Sequence, residues 1–265
     1  MNAPTRGARV DGRSDSGSAE RPSEAADETH RPLIGVIGGL GPAATLDFYA
    51  KVIAMTPART DQEHIRLLID ADPQVPNRND SVAGTGPSSA PRLIEKARRL
   101  KAAGAEMLVM ACNAAHAYGG EIVAATGLRL ISIVDEAVTA AQAAAPGLRL
   151  AGVLAAAGAL DAGLYREAFG RVGISCVEPT GDRRGRFMAL LYRIKAGDVS
   201  QGVRSAMAEL AAELVADGAQ VVVAGCTEVP LVLGPGNVDT QLVDSTAALA
   251  AAVVAIGGWH GIRQK

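Results

Sequence analysis

Short continuous apolar runs alternate along the chain with stretches whose apolar residues recur at helical spacing, a pattern of buried strands between helices. LIGVIGG (33–39) reads as a strand, and Pro42 opens a helix after it. IRLLIDA (65–71) is the next strand. A proline-rich loop from Pro73 to Pro91 follows, then a helix to Ala103 and the apolar run 107–111. A helix through about Ala125 leads to a short strand, LRLISIV (128–134). The order then returns. LRLAGVLA (148–155) is a strand, a helix lies near 160–170, ISCV (174–177) is a strand, and helices continue to Asp217. The apolar run 221–225, a short strand near Leu242 and a last helix from about Ser245 complete it. Such alternation predicts the α/β class, with parallel sheets covered by helices on both faces.

The second half echoes the first in detail. Gly104-Ala105 precedes one apolar run that ends in Cys112, and Gly218-Ala219 precedes another that ends in Cys226. The glycine stands eight residues before the cysteine in both copies. Gly35 is followed six residues later by Gly41, and Gly152 by Gly158. From Gly35 to Cys112 is 77 residues, and from Gly152 to Cys226 is 74. Matched anchors at nearly equal separations predict two α/β domains related by a pseudo-twofold, with a site in the cleft between them. The division reads as 32–131 plus 238–265 for the first domain and 132–237 for the second. Residues 1–31 hold one branched aliphatic, Val10, and read as a disordered tail, neither signal nor transit peptide.

Composition narrows the functional classes. The chain has 265 residues, 48% of them hydrophobic but only 3% aromatic, so small aliphatic side chains must build the core. A formal net charge of −2 offers no electrostatic basis for nucleic acid or an anionic membrane as partner. No apolar run reaches the roughly 18 residues of a membrane span. Three cysteines, Cys112, Cys176 and Cys226, without a secretory signal point to free thiols in a reducing cytoplasm. Four scattered histidines and no cysteine pair at ligand spacing leave no expected metal site.

Candidate chemistry gathers at the ends of the strands. Cys112 and Cys226 each end a strand and precede a polar residue, Asn113 and Thr227, so repeat symmetry lifts them above the usual buried cysteine. Cys176, inside an apolar strand, keeps that ordinary reading. The loop GGLGPAA (38–44), with Leu40 and Gly41 at its centre, opens a helix and suits contact with an anion or carboxylate. Gly39, Gly41 and Ala44 also fit a dinucleotide pattern, but Asp70 lies 31 residues past Gly39, beyond the usual spacing. Arg78 in PNRND shares the expected edge with these groups. Lys195 ends a helix, where a lysine complements the dipole, and His116 reads as a packed histidine.

Taken together, IGVIGGLGPAAT (34–45), DQEH (61–64), DPQVPNRND (72–80), ACNAAHAY (111–118), IKAG (194–197) and AGCTEV (224–229) resemble the cofactor-independent aspartate/glutamate racemase family, in particular its aspartate racemase branch. The resemblance covers about residues 33–256. It implies two flavodoxin-like domains and racemisation of aspartate, or else glutamate, by two cysteines acting as opposed bases without pyridoxal phosphate, other cofactor or metal. Cys112 and Cys226 match those bases. Asn113 and Thr227 match residues that hold the α-carboxylate, Arg78 and Lys195 those that bind the side-chain carboxylate, and a homodimer is implied. Two departures stand out: Ala114 replaces the threonine usual after Cys-Asn, and Ala156 and Ala159 replace threonines at the end of the strand in 148–155. Three other readings compete. They are a maleate-type isomerase or other small-dicarboxylate enzyme on the same scaffold, a non-catalytic protein that binds acidic amino acids, and an NAD-dependent oxidoreductase. The last leaves the duplicated cysteines unexplained.

Overall fold

Each half of the chain builds a four-stranded parallel sheet. The first holds β1 (Ile34–Ile37), β2 (Leu67–Asp70), β3 (Met107–Met110) and β4 (Arg129–Ile131), and the second β5 (Leu150–Leu154), β6 (Ser175–Val177), β7 (Val221–Ala224) and β8 (Gln241–Asp244). Their orders, β2-β1-β3-β4 and β6-β5-β7-β8, are the same order repeated, as the duplicated sequence predicts. All described strand pairs are parallel, with Ile34 opposite Leu67 and Met107, and Val222 opposite Gly152 and Leu242. The computed structural model describes residues 30–257. The tail expected over 1–31 lies outside the described residues but for its last two positions, as do residues 258–265.

Among the described residues, ten helices complete the α/β fold: α1 (Pro42–Met55), α2 (Arg78–Ala83), α3 (Ala90–Ala102), α4 (Gly119–Thr126), α5 (Ile133–Ala144), α6 (Ala157–Asp161), α7 (Leu164–Arg171), α8 (Gly181–Lys195), α9 (Gln201–Ala216) and α10 (Ser245–Ile256). Strand parity assigns each sheet two buried faces. Ile34 and Val36 of β1 and Val109 of β3 enter one cluster with Phe48 and Val134, and Val153 and Val223 of the second sheet enter the same cluster. Helices α1, α5, α7 and α10 therefore fill a core shared by both sheets. On the outer faces, α3 and α4 cover Ile37, Leu108 and Met110, while α8 and α9 cover Leu154, Val222 and Ala224. Both cysteine strands follow one parity, so Cys112 and Cys226 continue the outward rows of their sheets.

The repeated Gly-Ala phrase has a packing cause. Gly104 and Gly218 close α3 and α9 with φ of 96° and 98°, a left-handed backbone that glycine adopts without strain. Ala105 N–H then donates to the Leu100 carbonyl at 3.0 Å and Ala219 N–H to that of Leu214 at 3.1 Å, the six-to-one bond of a Schellman turn. Each alanine presses on the glycine of the neighbouring strand. A Cβ on Gly35 would stand 2.9 Å from that of Ala105, and one on Gly152 3.0 Å from that of Ala219.

Three boundaries differ from the sequence reading. The strand expected over 128–134 stops at Ile131, because the Ser132 hydroxyl accepts the Asp135 N–H and caps α5. The proline-rich loop contains α2, capped by the Asn77 side chain, which accepts the Asn79 N–H, and ended by left-handed Gly84. The helix near 160–170 is two helices, divided at Gly163 with φ of 66°. Among the described residues beyond 237, β8 pairs with β7, whereas α10 packs against α1 and α5.

Candidate active site

The two outward rows end at a common cavity. Cys112, two residues past β3, and Cys226, two past β7, are 8% and 6% exposed and line one cavity of about 250 Å³. Asn113, Thr227, Arg78 and Lys195 line it too, so six of the eight candidate residues meet in one place. The volume lies below the ~300–1,000 Å³ of pockets for drug-sized ligands and suits a small metabolite. Ala114 and Ala156 present methyl groups to the same space where the resemblance expects hydroxyls. Ala159 is fully buried and is not among the lining residues.

Leu40 and Gly41, the remaining two candidates, line an adjoining cavity of about 230 Å³ that shares Arg78, Lys195 and Glu228 as its wall. Gly39 turns the loop with φ of 76°, where a Cβ would lie 2.5 Å from the Asp72 carbonyl oxygen. A Cβ on Gly41 would come 2.6 Å from Glu228 Oε1, so the carboxylate that meets this glycine is the protein's own. Gly158, the counterpart of Gly41, receives Asn79 of the first half, its N–H donating to Asn79 Oδ1 at 2.9 Å. Each half thus offers a glycine to a polar side chain of the other.

Glu228 went unnoticed in the sequence although it lies within AGCTEV. It is 4% exposed, and its carboxylate accepts from three neighbours. The Cys226 thiol donates to Oε2 at 3.0 Å, the Thr227 hydroxyl donates to Oε2 at 3.4 Å, and the Lys195 ammonium pairs with Oε1. Burial, and next the Glu228 charge, hold the Cys226 thiol well above its ordinary value, against the opposing pull of Lys195. Burial is the largest influence on Lys195 and works against its charge, but Glu228 together with the Cys226 and Cys112 sulfurs outweighs it, and the ammonium is held above its usual range. The only advance signal for Glu228 was position: a carboxylate two residues past a cysteine at a strand end.

Arg78 begins α2 and is held by backbone. Its Nη2 donates to the Leu40 carbonyl at 2.5 Å and its Nη1 to those of Val75 and Pro76 at 3.2 and 3.1 Å. A guanidinium has five N–H donors, so this anchoring leaves capacity for a ligand. Tyr192 of α8 also reaches the cavity, its hydroxyl accepting from Asn77 Nδ2 at 3.3 Å and Asn79 Nδ2 at 3.4 Å across the cleft. Nothing in residue type alone distinguished it.

His116 is packed: Nδ1–H donates to the Cys112 carbonyl at 2.8 Å, Nε2 accepts the Ile133 N–H at 3.2 Å, and burial lowers its pKa. Cys176 is pushed up to about 11 by burial and by Glu178, which makes it a poor nucleophile. Among the described residues, no group of three or more His, Cys, Asp or Glu is placed to hold a metal ion, and no helix is long and apolar enough to cross a membrane.

Comparison with known proteins agrees with this geometry. Residues 37–253 match the family model described as Asp/Glu/Hydantoin racemase. A broad specificity amino-acid racemase of Bacillus subtilis is 24% identical over 226 residues, 84% of this chain and 96% of that protein. The structure of the Picrophilus torridus aspartate racemase superposes with a TM-score of 0.74 at 26% identity, covering 86% of this chain and 94% of that one. A glutamate racemase from Francisella tularensis, solved with D-glutamate, shares the fold at a TM-score of 0.62 and 18% identity, over 85% and 80% of the two chains. With two equivalent sheets, a thiol at the end of each and a match over most of its length, the chain is an isomerase that belongs to the Asp/Glu/hydantoin racemase family.

Proposed function

We propose that the protein interconverts the enantiomers of an acidic amino acid, aspartate first and glutamate second, by two-cysteine 1,1-proton transfer. The observation that carries this reading is the meeting of Cys112 and Cys226, from equivalent strand ends, in one small cavity with Arg78 and Lys195. A planar carbanion has two faces, so inversion needs one group to remove the α-proton and another to return a proton opposite. Cys226, whose thiol donates to Glu228, is the acid of the resting enzyme, and Cys112 as thiolate is the base. The Cys112 sulfur takes the α-proton, the electron pair passes into the α-carboxylate, and Cys226 gives its proton to the other face. The roles exchange for the other enantiomer.

The remaining groups hold the substrate. Asn113 and Thr227 hold the α-carboxylate, where charge gathers. Arg78 and Lys195, beside the loop of Leu40 and Gly41, hold the side-chain carboxylate. Glu228 is the one carboxylate among the cavity's lining residues and receives the ammonium. Two features favour a wider substrate range as a second reading: Lys195 is already paired with Glu228, and Ala114 and Ala156 line the cavity. Homodimer formation is part of the proposal, supported by exposed Leu46, Tyr49 and Ile53 in one stripe of α1.

The test is to replace Cys112 and Cys226 singly with Ala and follow α-proton exchange and optical inversion in deuterated water from each enantiomer of aspartate. Each variant is expected to lose roughly 10²–10⁴-fold in racemisation. Full racemisation by either single variant would sink the two-base mechanism, and an Arg78→Ala variant with unchanged aspartate turnover would remove the acidic-substrate assignment.

A further inference from the structure

We infer that Tyr165 is a positioning residue for the reaction, acting through Asn113 and joining the two cysteine-bearing strand ends; the inference rests on the racemase reading above. Tyr165 lies on α7, is 1% exposed, and is absent from the lining of the cavity. Its hydroxyl donates to Asn113 Oδ1 at 2.6 Å, Asn113 Nδ2 donates to Ser245 Oγ at 3.2 Å, and Ser245 Oγ donates to the Ala224 carbonyl at 2.7 Å. This buried chain begins beside Asn113, which follows Cys112, and ends two residues before Cys226. The tyrosine ring also lies against the intervening glycine: a Cβ on Gly225 would stand 2.8 Å from Tyr165 Cε2.

The direction of every bond follows from the last one. A carbonyl oxygen only accepts, so the Ser245 proton is committed to Ala224. Ser245 Oγ can then only accept from Asn113, which turns Nδ2 toward Ser245 and Oδ1 toward Tyr165. Tyr165 must therefore donate. Burial raises the phenol pKa, so that donor proton stays in place. The amide orientation of a residue in the cavity wall is thus fixed from behind by a hydroxyl that touches no substrate. The second Nδ2–H of Asn113 remains for the α-carboxylate. Without the tyrosine hydroxyl, Oδ1 loses its donor and the amide gains freedom to present oxygen to that carboxylate, a repulsive contact.

The experiment is a double-mutant cycle of Tyr165→Phe and Asn113→Ala, read as KM and kcat for aspartate racemisation. Phe keeps the ring on Gly225 and removes only the hydroxyl. Tyr165→Phe is expected to lower kcat/KM about two- to tenfold, the range of one lost hydrogen bond, through a higher KM and, because charge gathers on the same carboxylate, a lower kcat. In the Asn113→Ala background the same change is expected to lower kcat/KM no further. An unmoved kcat/KM in Tyr165→Phe, or losses that multiply in the double variant, would overturn the role while leaving the racemase reading intact. A wild-type chain that exchanges the α-proton of no amino acid overturns both. Should Tyr165→Phe fail to fold, Ser245→Ala, which removes the acceptor at the other end of the chain, goes through the same cycle with the same expected and contrary results.

Discussion

At the scale of single residues, the site is organised by the contrast between its two thiols. Cys226 has a buried carboxylate 3.0 Å away, which holds its proton, whereas no equivalent carboxylate follows Cys112, where Asn113, Ala114 and Ala115 stand. Under the proposed two-cysteine mechanism the enzyme is active only with one thiol protonated and the other ionised, so kcat/KM is expected to fall at alkaline pH as Cys226 loses its proton. Burial and Glu228 raise that pKa, and the alkaline fall is correspondingly late. Glu228→Gln removes the charge and keeps the shape, so the alkaline limb is expected to move toward lower pH. It must move equally for both enantiomers, because the equilibrium constant of racemisation is one. Measuring kcat/KM against pH from L- and D-aspartate checks this, and an unshifted alkaline limb would disprove the role given to Glu228.

At the scale of elements, the sequence announced the two cysteine strands through a phrase whose cause lies elsewhere. The glycines of Gly104-Ala105 and Gly218-Ala219 end helices, and the alanines seat those helices against Gly35 and Gly152; the cysteines follow because the strand that comes next has the same length in both halves. The shared order of the two halves, the strand positions and Cys112, Asn113, Cys226 and Thr227 as candidates were legible because they rest on local spacing and on repetition, whereas Arg78 and Lys195 stood out only through the family resemblance. Tyr165 and Tyr192 were not, since each acts on residues distant in sequence and no periodicity encodes such a meeting; Glu228 was not because, though it lies two residues past Cys226, only the fold turns its carboxylate back onto the thiol and brings Lys195 to it. The end of β4 was overrun because Ile133 and Val134 continue an apolar run, and only the Ser132 cap distinguishes helix from strand there. The two kinds of glycine separate by experiment. Gly218→Ala meets only Leu150 Cδ2 at 3.6 Å and carries the backbone strain of its positive φ, an expected loss of about 1–2 kcal/mol. Gly152→Ala has no such strain but drives a methyl against Ala219 Cβ and, at 3.1 Å, Leu214 Cβ, an overpacking cost of about 1–3 kcal/mol. Urea unfolding measures both. Gly218→Asn, which tolerates the left-handed region, is expected to recover part of the first loss, and Gly152→Asn none of the second.

At the scale of the whole molecule, two similar sheets need not unfold separately. One face of each sheet enters the same cluster, in which Phe48 of α1 and Ile131 of β4 sit with Val153 of β5, Val223 of β7 and Leu249 of α10. The crossing of the chain reinforces this: β8 completes the second sheet, and α10, which follows it at once, packs on α1 over the first. Neither half can open without exposing apolar surface of the other, at about 25 cal/mol for each Å². The site depends on the same closure, because Glu228 abuts Gly41 and Asn79 bonds Gly158 only while the halves are joined. Denaturation is therefore expected to be one transition, with loss of helical circular dichroism coinciding with the exposure of Cys112 and Cys226 to a thiol reagent. Phe48→Ala, though placed in the first half, is expected to cost about 3–5 kcal/mol and to move both signals together. For the proposed homodimer, the midpoint also rises with protein concentration, since association stabilises only the folded chain. Thiols that become reactive at a lower denaturant concentration than the helices unfold would show that the cleft opens on its own, and that the shared core does not bind the halves into one cooperative unit.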